Sequence, residues 1–255
     1  MQNLAQKASR LVASVLFPDT CLACRMHVAA RGTLCPDCWG RLHFIAEPIC
    51  AVTGTPFQHE FGDNMVSAEA LADPPPYRRA RAAVLHDGIA RQLVQRLKYG
   101  DQAELAPWMA QWMLRAGRDL VGDCDIVVPV PLHPRRYLAR RYNQSAELAR
   151  AIAAESGLAF EPEALARIKP TRQQVGLTAT QRRANVRGAF RVRPEREIAV
   201  SGRSILLVDD VYTTGATISA AAKVLLRAGA ADVDVLTFSR VIPHFSGALH
   251  RAATT

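Results

Sequence analysis

The chain has 255 residues, of which 49% are hydrophobic and 22% are charged, so it is long enough to bury a full core. Its net charge of +9 favours anionic partners such as nucleic acids and phosphorylated metabolites, without choosing between them. No segment reaches the roughly 20 apolar residues of a membrane span, and no signal peptide is recognisable. We therefore expect a cytoplasmic protein with no membrane span.

The first predicted element is an amphipathic helix over residues 4–16, where apolar side chains recur at helical spacing. After it comes a C-x2-C-x10-C-x2-C array formed by Cys21, Cys24, Cys35 and Cys38. The surrounding prolines and glycines favour two tight turns around one ion, and four thiolates favour structural Zn²⁺. The gap between the pairs is shorter than in the commonest zinc ribbons, so iron or a redox pair stays an alternative.

Residues 47–77 are irregular and rich in proline, and they are typical of a linker. Strands and helices then alternate, with strands predicted over 82–86, 125–130, 204–208 and 233–238 and helices over 89–99, 105–116, 143–156 and 217–228. This alternation predicts an α/β protein whose parallel sheet carries helices on both faces. We divide the chain into residues 1–45 (helix and cysteine module), 46–80 (linker or hood), 81–245 (α/β domain) and 246–255 (tail).

The apolar strand predicted over 204–208 ends abruptly at Asp209 and Asp210. Two adjacent carboxylates repel each other and are costly to bury, so they belong at the edge of the sheet, next to a polar ligand or a metal. In open α/β sheets, ligands bind beyond the carboxyl ends of the strands. A ribose diol is a suitable ligand for such a pair.

A turn and a helix follow the acid pair, and the turn contains Thr213, Thr214, Gly215, Ala216 and Thr217. Gly215 permits a tight bend, the threonines supply hydroxyls, and the amide groups at the start of the helix point back at the turn. A monophosphate matches this arrangement. Together, the acid pair and the turn predict binding of a phosphorylated ribose, with phosphoribosyl pyrophosphate as the first candidate.

Other interpretations of residues 204–217 account for fewer of these residues. The chain lacks the G-x-x-x-x-G-K-[ST] motif of a Walker-type nucleotide hydrolase and the G-x-G-x-x-G motif of a dinucleotide fold. A phospho-receiver domain begins near its acid pair, whereas only 45 residues follow Asp210. A purely structural role as a helix cap explains Thr217 but not the two acids.

These residues, together with several other segments of the chain, resemble a known family. The segment 205–217 is similar throughout to the phosphoribosyl pyrophosphate signature of type I phosphoribosyltransferases. The resemblance extends to the ComF family of competence factors, which is amidophosphoribosyltransferase-like, and it covers nearly the whole chain. The matching segments are Leu16-Phe17-Pro18 before the cysteines, Leu97-Lys98-Tyr99, and residues 128–132, 141–145, 171–174 and 185–190.

The resemblance implies a type I phosphoribosyltransferase-like sheet with a small zinc-ribbon-like module before it. Asp209 and Asp210 would bind the ribose hydroxyls, residues 213–217 the 5′-phosphate, and Mg²⁺ would bridge ribose and pyrophosphate oxygens. The pyrophosphate would be bound by Pro131, Leu132, His133 and Arg135 and by a mobile basic loop over 167–196 that includes Arg172, Gln174, Arg182 and Arg183. For any single arginine of that loop, a solvated surface position is the alternative.

One departure from the family concerns the second cysteine pair that many relatives carry. Here Cys50 is present without its partner and without a later pair, so the sequence predicts no second zinc site.

Two functions follow. The first is an enzyme that transfers a phosphoribosyl group to or from an unidentified nitrogen acceptor. The second is a non-catalytic competence or recombination factor that binds single-stranded DNA or a competence helicase, although the aromatic content of 6% is low for base stacking. A role in DNA uptake is implied by the family alone, and a dimer is compatible with the sequence.

Overall fold

The computed structural model describes residues 19–59, 62, 64–99, 102–133, 142–169, 181 and 184–242. The helix predicted over residues 4–16 lies outside this part of the chain. Two short helices precede the sheet, namely α1 (Pro36–Gly40) within the cysteine module and α2 (Ala68–Ala72). None of the helices in the described part of the chain has the length and hydropathy that a membrane span requires.

A five-stranded parallel sheet forms the centre of the molecule, with the strand order β1-β7-β6-β2-β3. The prediction of a parallel sheet is confirmed. Its strands are β1 (Arg79–Leu85), β2 (Ile126–Pro129), β3 (Ala159–Phe160), β6 (Ser204–Tyr212) and β7 (Asp232–Arg240). A separate antiparallel pair is formed by β4 (Leu165–Arg167) and β5 (Phe190–Val192). The second of these lies within the segment that the sequence predicted as a mobile loop.

Helices cover both faces of the sheet, as predicted. They are α3 (Gly88–Tyr99), α4 (Ala106–Ala116), α5 (Arg118–Val121), α6 (Gln144–Ser156), α7 (Glu197–Val200) and α8 (Ala216–Arg227), with 3₁₀ turns at Ala103–Leu105 and Pro194–Arg196. Successive residues of β6 point to opposite faces. Leu206 and Val208 join the core under α3, α4 and α6, whereas Ile205 and Leu207 join the core under α8. This double burial explains why the strand is uniformly apolar.

The segments before the sheet are bonded to its edge strand, β1. Phe44 forms an antiparallel bridge with Val84, and the Ala80 N–H donates to the Val52 carbonyl at 2.7 Å. The amino-terminal segments therefore cover an edge that would otherwise present unpaired backbone groups. The boundaries between the predicted domains stay predictions.

Charged residues pair at the amino ends of β1 and β7. The Asp234 side chain is fully buried and accepts hydrogen bonds from the guanidinium groups of Arg78 at 2.6 Å and Arg79 at 2.7 Å. Although burial disfavours its charged form, these two arginines lower the pKa of Asp234. The network links two neighbouring strands far from the crevice beyond their carboxyl ends.

Candidate functional site

The acid pair lies at the carboxyl end of β6, as the sequence predicted. The strand does not end at Val208, however, but continues through both acids to Tyr212. The reason is its neighbour β7, which pairs with it to the end through Asp209 opposite Thr237 and Tyr212 opposite Arg240. The two carboxylates are therefore held on a rigid strand rather than on a loop.

Each carboxylate has a partner from one of two helices, α6 and α3, which pack on the same face of the sheet. The Ser145 hydroxyl, in the first turn of α6, donates to Asp209 Oδ1 at 2.7 Å. Lys98 Nζ, near the end of α3, lies 2.8 Å from Asp210 Oδ2, and the two side chains are only 24% and 11% exposed. The pair is thus partly neutralised by the protein itself.

Asp209 has an unusual proton affinity. Its burial and the neighbouring charge of Asp210 raise the pKa of Asp209 to about 7, although the Ser145 hydroxyl, the Asp210 N–H and Lys98 all favour the ionised form. The carboxyl group therefore gains or loses a proton near neutral pH. Hydrogen-bond donors or a cation brought by a ligand would favour its ionised form.

The turn predicted to bind phosphate, residues 213–217, follows directly, and we call it the phosphate turn. Helix α8 begins at Ala216, immediately after Gly215. Gly215 has a φ of 72°, and a Cβ atom at this position would lie 2.4 Å from the Tyr212 hydroxyl. Both facts exclude a larger residue. The turn brings Thr213 to Thr217 together at the amino end of a 12-residue helix, where amide groups and the helix dipole favour an anion.

This turn is supported by three side chains, namely those of Tyr212, Tyr77 and Arg240. The Tyr212 and Tyr77 hydroxyls are 2.7 Å apart, and the Arg240 guanidinium lies 4.0 Å above the Tyr212 ring. Arg240 also donates to the Thr53 carbonyl at 2.6 Å. The segment predicted as a linker or hood therefore contacts the phosphate turn through Arg240 and Tyr77.

The residues predicted to bind pyrophosphate are only partly described. Pro131, Leu132 and His133 are half-buried and follow β2, whose neighbour is β6. The Val130 N–H donates to the Val208 carbonyl at 2.9 Å, so this segment leaves the sheet beside the acid pair. The other predicted contacts, Arg135, Arg172, Gln174, Arg182 and Arg183, lie outside the described residues.

The sequence predicts no role in the site for Lys98 or Ser145, although both lie in segments that resemble the family. A signal for Lys98 exists, because it follows the buried Val94 by four positions and so lies on the same helix face. A lysine on a buried face needs an anionic partner. Ser145 has a weaker signal, since a serine in the first turn of a helix usually caps it, and here Asn143 is the cap.

The four cysteines of the first module converge. Their sulfur atoms all lie within 4.8 Å of one another, and Cys24 Sγ is 3.6 Å from Cys35 Sγ. A tetrahedral site with Zn–S bonds of about 2.3 Å places its sulfurs about 3.8 Å apart, so the cluster fits Zn²⁺. Because all four positions are taken by protein, the site is structural.

A related turn surrounds Cys50. Its Sγ accepts hydrogen bonds from the backbone N–H of Thr53 at 3.4 Å and of Ser67 at 3.2 Å. Burial opposes ionisation, yet these donors and the two hydroxyls lower the pKa of Cys50 to about 7. Cys21 in the four-cysteine cluster accepts two backbone N–H donors in the same way, from Ala23 and Cys35.

The chain is similar to several known proteins. A family model described as a double zinc ribbon domain matches residues 12–71. The DNA utilization protein YhgH of Salmonella typhimurium is 32% identical over 234 residues, which span 88% of this chain and 98% of that protein. Competence protein F of Haemophilus influenzae is 27% identical over 231 residues, with the same two coverages.

Among solved structures, the allosteric regulatory enzyme of purine biosynthesis matches 56% of this chain and 29% of its own, with a TM-score of 0.38 and 20% identity. Because this likeness is low, the family assignment rests on the sequence relatives.

Proposed function

Since this chain belongs to the ComF family, together with the DNA utilization protein YhgH and competence protein F, we propose that it binds phosphoribosyl pyrophosphate with Mg²⁺ and transfers the phosphoribosyl group to a nitrogen acceptor. The observation that carries this proposal is the continuity of the site. One strand and one turn present two carboxylates and an anion-binding helix terminus within nine residues, 209–217.

The ribose would lie over the acid pair. Its two hydroxyls would donate to Asp209 and Asp210, and each bond to a carboxylate is a strong, charge-assisted one. Binding would favour the ionised form of Asp209, whose pKa is raised to about 7 in the free protein. The 5′-phosphate would then reach the turn at Gly215, where only a glycine leaves room.

The residues present are compatible with Mg²⁺ that is bound mainly by ligand oxygens. Because Lys98 pairs with Asp210, the two acids and Lys98 together carry at most one net negative charge. Such a group attracts a cation bound to phosphoribosyl pyrophosphate more than it binds a free one. When bound, Mg²⁺ would neutralise the leaving pyrophosphate.

The protein itself would mainly position the reacting groups. Rigid placement of the ribose and the phosphate fixes the anomeric carbon relative to the acceptor, and such orientation lowers the barrier by several kcal/mol. Residues 131–133, beside β2, would line the pyrophosphate side. We further propose that the protein acts in the cytoplasm, in competence or DNA utilization, as the names of its relatives suggest.

Calorimetry with phosphoribosyl pyrophosphate and Mg²⁺ tests the site. We expect the wild type to bind and the double variant Asp209→Asn/Asp210→Asn to bind more than tenfold more weakly, about 1.4 kcal/mol or more, because two charged acceptors are lost. Asp232→Asn, at the amino end of β7, is the matched control. Equal binding by all three proteins would overturn the site assignment.

A second candidate is a non-catalytic accessory factor that binds single-stranded DNA or a helicase. The net charge of +9 and the names of the relatives favour it. Direct DNA binding of this kind must weaken steeply with salt. Affinity for an oligonucleotide that is absent at low salt, or that does not change with salt, would exclude direct DNA binding.

A further inference from the structure

A second polar cluster adjoins the acid pair on the side of β1. His86 directly follows β1, Ser239 lies on the neighbouring β7, and Lys98 reaches the same region from α3. His86 is bound to this place through its backbone as well, since its N–H donates to the Arg240 carbonyl at 2.7 Å. Neither His86 nor Ser239 has a role in the site described above.

The hydrogen bonds of the cluster favour a proton on Nδ1 of His86. The Ser239 hydroxyl donates to the Asp210 carbonyl oxygen at 3.4 Å, so its oxygen is free to accept a hydrogen bond. His86 Nδ1 lies 2.8 Å from that oxygen, and it is the donor in this contact when the Ser239 proton is on the Asp210 carbonyl. Nε2 then bears the lone pair. It has no partner among the described residues, and it is not a buried atom.

The strand order places this lone pair on a particular side of the ribose site. The segment after β2, predicted to bind pyrophosphate, lies on one side of β6, and β7 and β1 lie on the other. In a displacement at the anomeric carbon, the nucleophile approaches opposite the leaving group. The acceptor would therefore enter from the side of β7 and β1, where His86 is found.

We propose that His86 is the general base of the transfer, and that the acceptor is a neutral nitrogen nucleophile with at least one N–H bond. This inference rests on the function proposed above. The acceptor nitrogen donates its lone pair to the anomeric carbon, and the bond from that carbon to the pyrophosphate oxygen breaks. Pyrophosphate leaves with the electron pair. The attacking nitrogen becomes positively charged and loses its proton to His86 Nε2, which returns it to solvent.

The charges around His86 suit this role. Burial lowers the pKa of His86 to about 4, and Lys98 and Arg91 act in the same direction, whereas Asp210 and Asp87 oppose them. The imidazole is therefore neutral throughout the physiological range, and its lone pair is available. The base is needed only as the bond to the anomeric carbon forms, when the attacking nitrogen becomes positively charged and therefore more acidic.

The test is His86→Ala, assayed with ammonia and hydroxylamine as probe nucleophiles in the presence of phosphoribosyl pyrophosphate and Mg²⁺. We expect pyrophosphate release to fall roughly 100-fold, as for the loss of a general base. Calorimetry measures ligand affinity separately, and it should change less than threefold. Adding 2-methylimidazole should raise the rate of pyrophosphate release by His86→Ala at least tenfold when the nucleophile is present. The rate should not change when the nucleophile is omitted.

Two further variants make the test specific. Ser239→Ala removes the group that orients the imidazole and should lower the rate by about tenfold without rescue, whereas His59→Ala, on an exposed loop, should leave it unchanged. An unchanged rate in His86→Ala, an equal loss of ligand affinity, or a loss without rescue would each overturn the proposal. So would a wild type that binds the ligand but releases no pyrophosphate with either nucleophile. A wild type that fails to bind the ligand would instead overturn the proposed function, and this inference with it.

Discussion

The two adjacent acids of the site should respond in opposite directions to the same substitution. In Asp209→Asn, the amide oxygen can still accept from the Ser145 hydroxyl and the Asp210 N–H, while a crowded charge disappears. Asp210→Asn instead leaves the Lys98 ammonium without its partner at a largely buried position. We therefore expect the first variant to be more stable than the wild type and the second to be less stable, both in the absence of ligand.

The expected magnitude follows from the pKa of Asp209. A rise from 3.8 to about 7 corresponds to at most about 4 kcal/mol at about 1.4 kcal/mol per pKa unit, and sharing of charge with Asp210 reduces this to about 2 kcal/mol. Breaking the Lys98 pair should cost about 1–3 kcal/mol, less than a fully buried pair. For a chain of this size, 1 kcal/mol shifts the Tm by roughly 2–4 °C.

The pH dependence gives the sharper test. Because the pKa of Asp209 is higher in the folded than in the unfolded state, its penalty is absent below about pH 4 and grows as the pH rises towards 7. The gain in Tm of Asp209→Asn should be full at pH 8 and small at pH 4.5, as measured by thermal unfolding without ligand. A loss of stability at pH 8, or the same gain at both pH values, would refute the reasoning.

Three further predictions concern other parts of the molecule. Asp234→Asn removes the fully buried carboxylate that Arg78 and Arg79 share, while both arginines keep half-exposed partners, and it should lower the free energy of unfolding in urea by about 1–3 kcal/mol; the half-buried Asp232→Asn should cost less than 1 kcal/mol. Metal analysis should find one zinc per chain in both the wild type and Cys50→Ser; two zinc ions per wild-type chain would contradict our account of the Cys50 turn. Gly215→Ala should weaken the binding of phosphoribosyl pyrophosphate at least tenfold, while Gly157→Ala, which has a similar φ of 77° but open space around it, should lower stability without changing affinity.

Four of the five strands of the sheet could be predicted because their apolar patterns are local, whereas β3 has only two residues, neither of them buried, and gives no such pattern. The ends of the strands could not, since charged residues there are stabilised only by a neighbouring strand. Arg79 extends β1 because Asp234 lies opposite it on β7, 155 residues later in the chain. Likewise, β6 continues past Val208 because β7 pairs with it as far as Arg240. A sequence pattern contains no information about these partners until the strand order is known.

The same distinction applies to the candidate site. Asp209, Asp210 and the turn at Gly215 are contiguous, so their chemistry is visible in the sequence. The residues that modify this chemistry come from other elements: Lys98 precedes Asp210 by 112 positions, and Ser145 precedes Asp209 by 64. Their roles depend on the helices that the sheet order brings to the carboxyl end of β6, and only the tertiary structure shows them.

The segment before the sheet gains a role that a linker would not have. Backbone N–H groups donate to Cys50 in this turn, and within it the Thr53 carbonyl accepts from Arg240. Arg240 stacks on Tyr212, whose hydroxyl lies against Gly215 in the phosphate turn. Three contacts in series therefore connect the Cys50 turn with the turn that we propose binds the phosphate. Because the same segment bonds to the edge of β1, just before His86, it is placed to orient both sides of the proposed reaction.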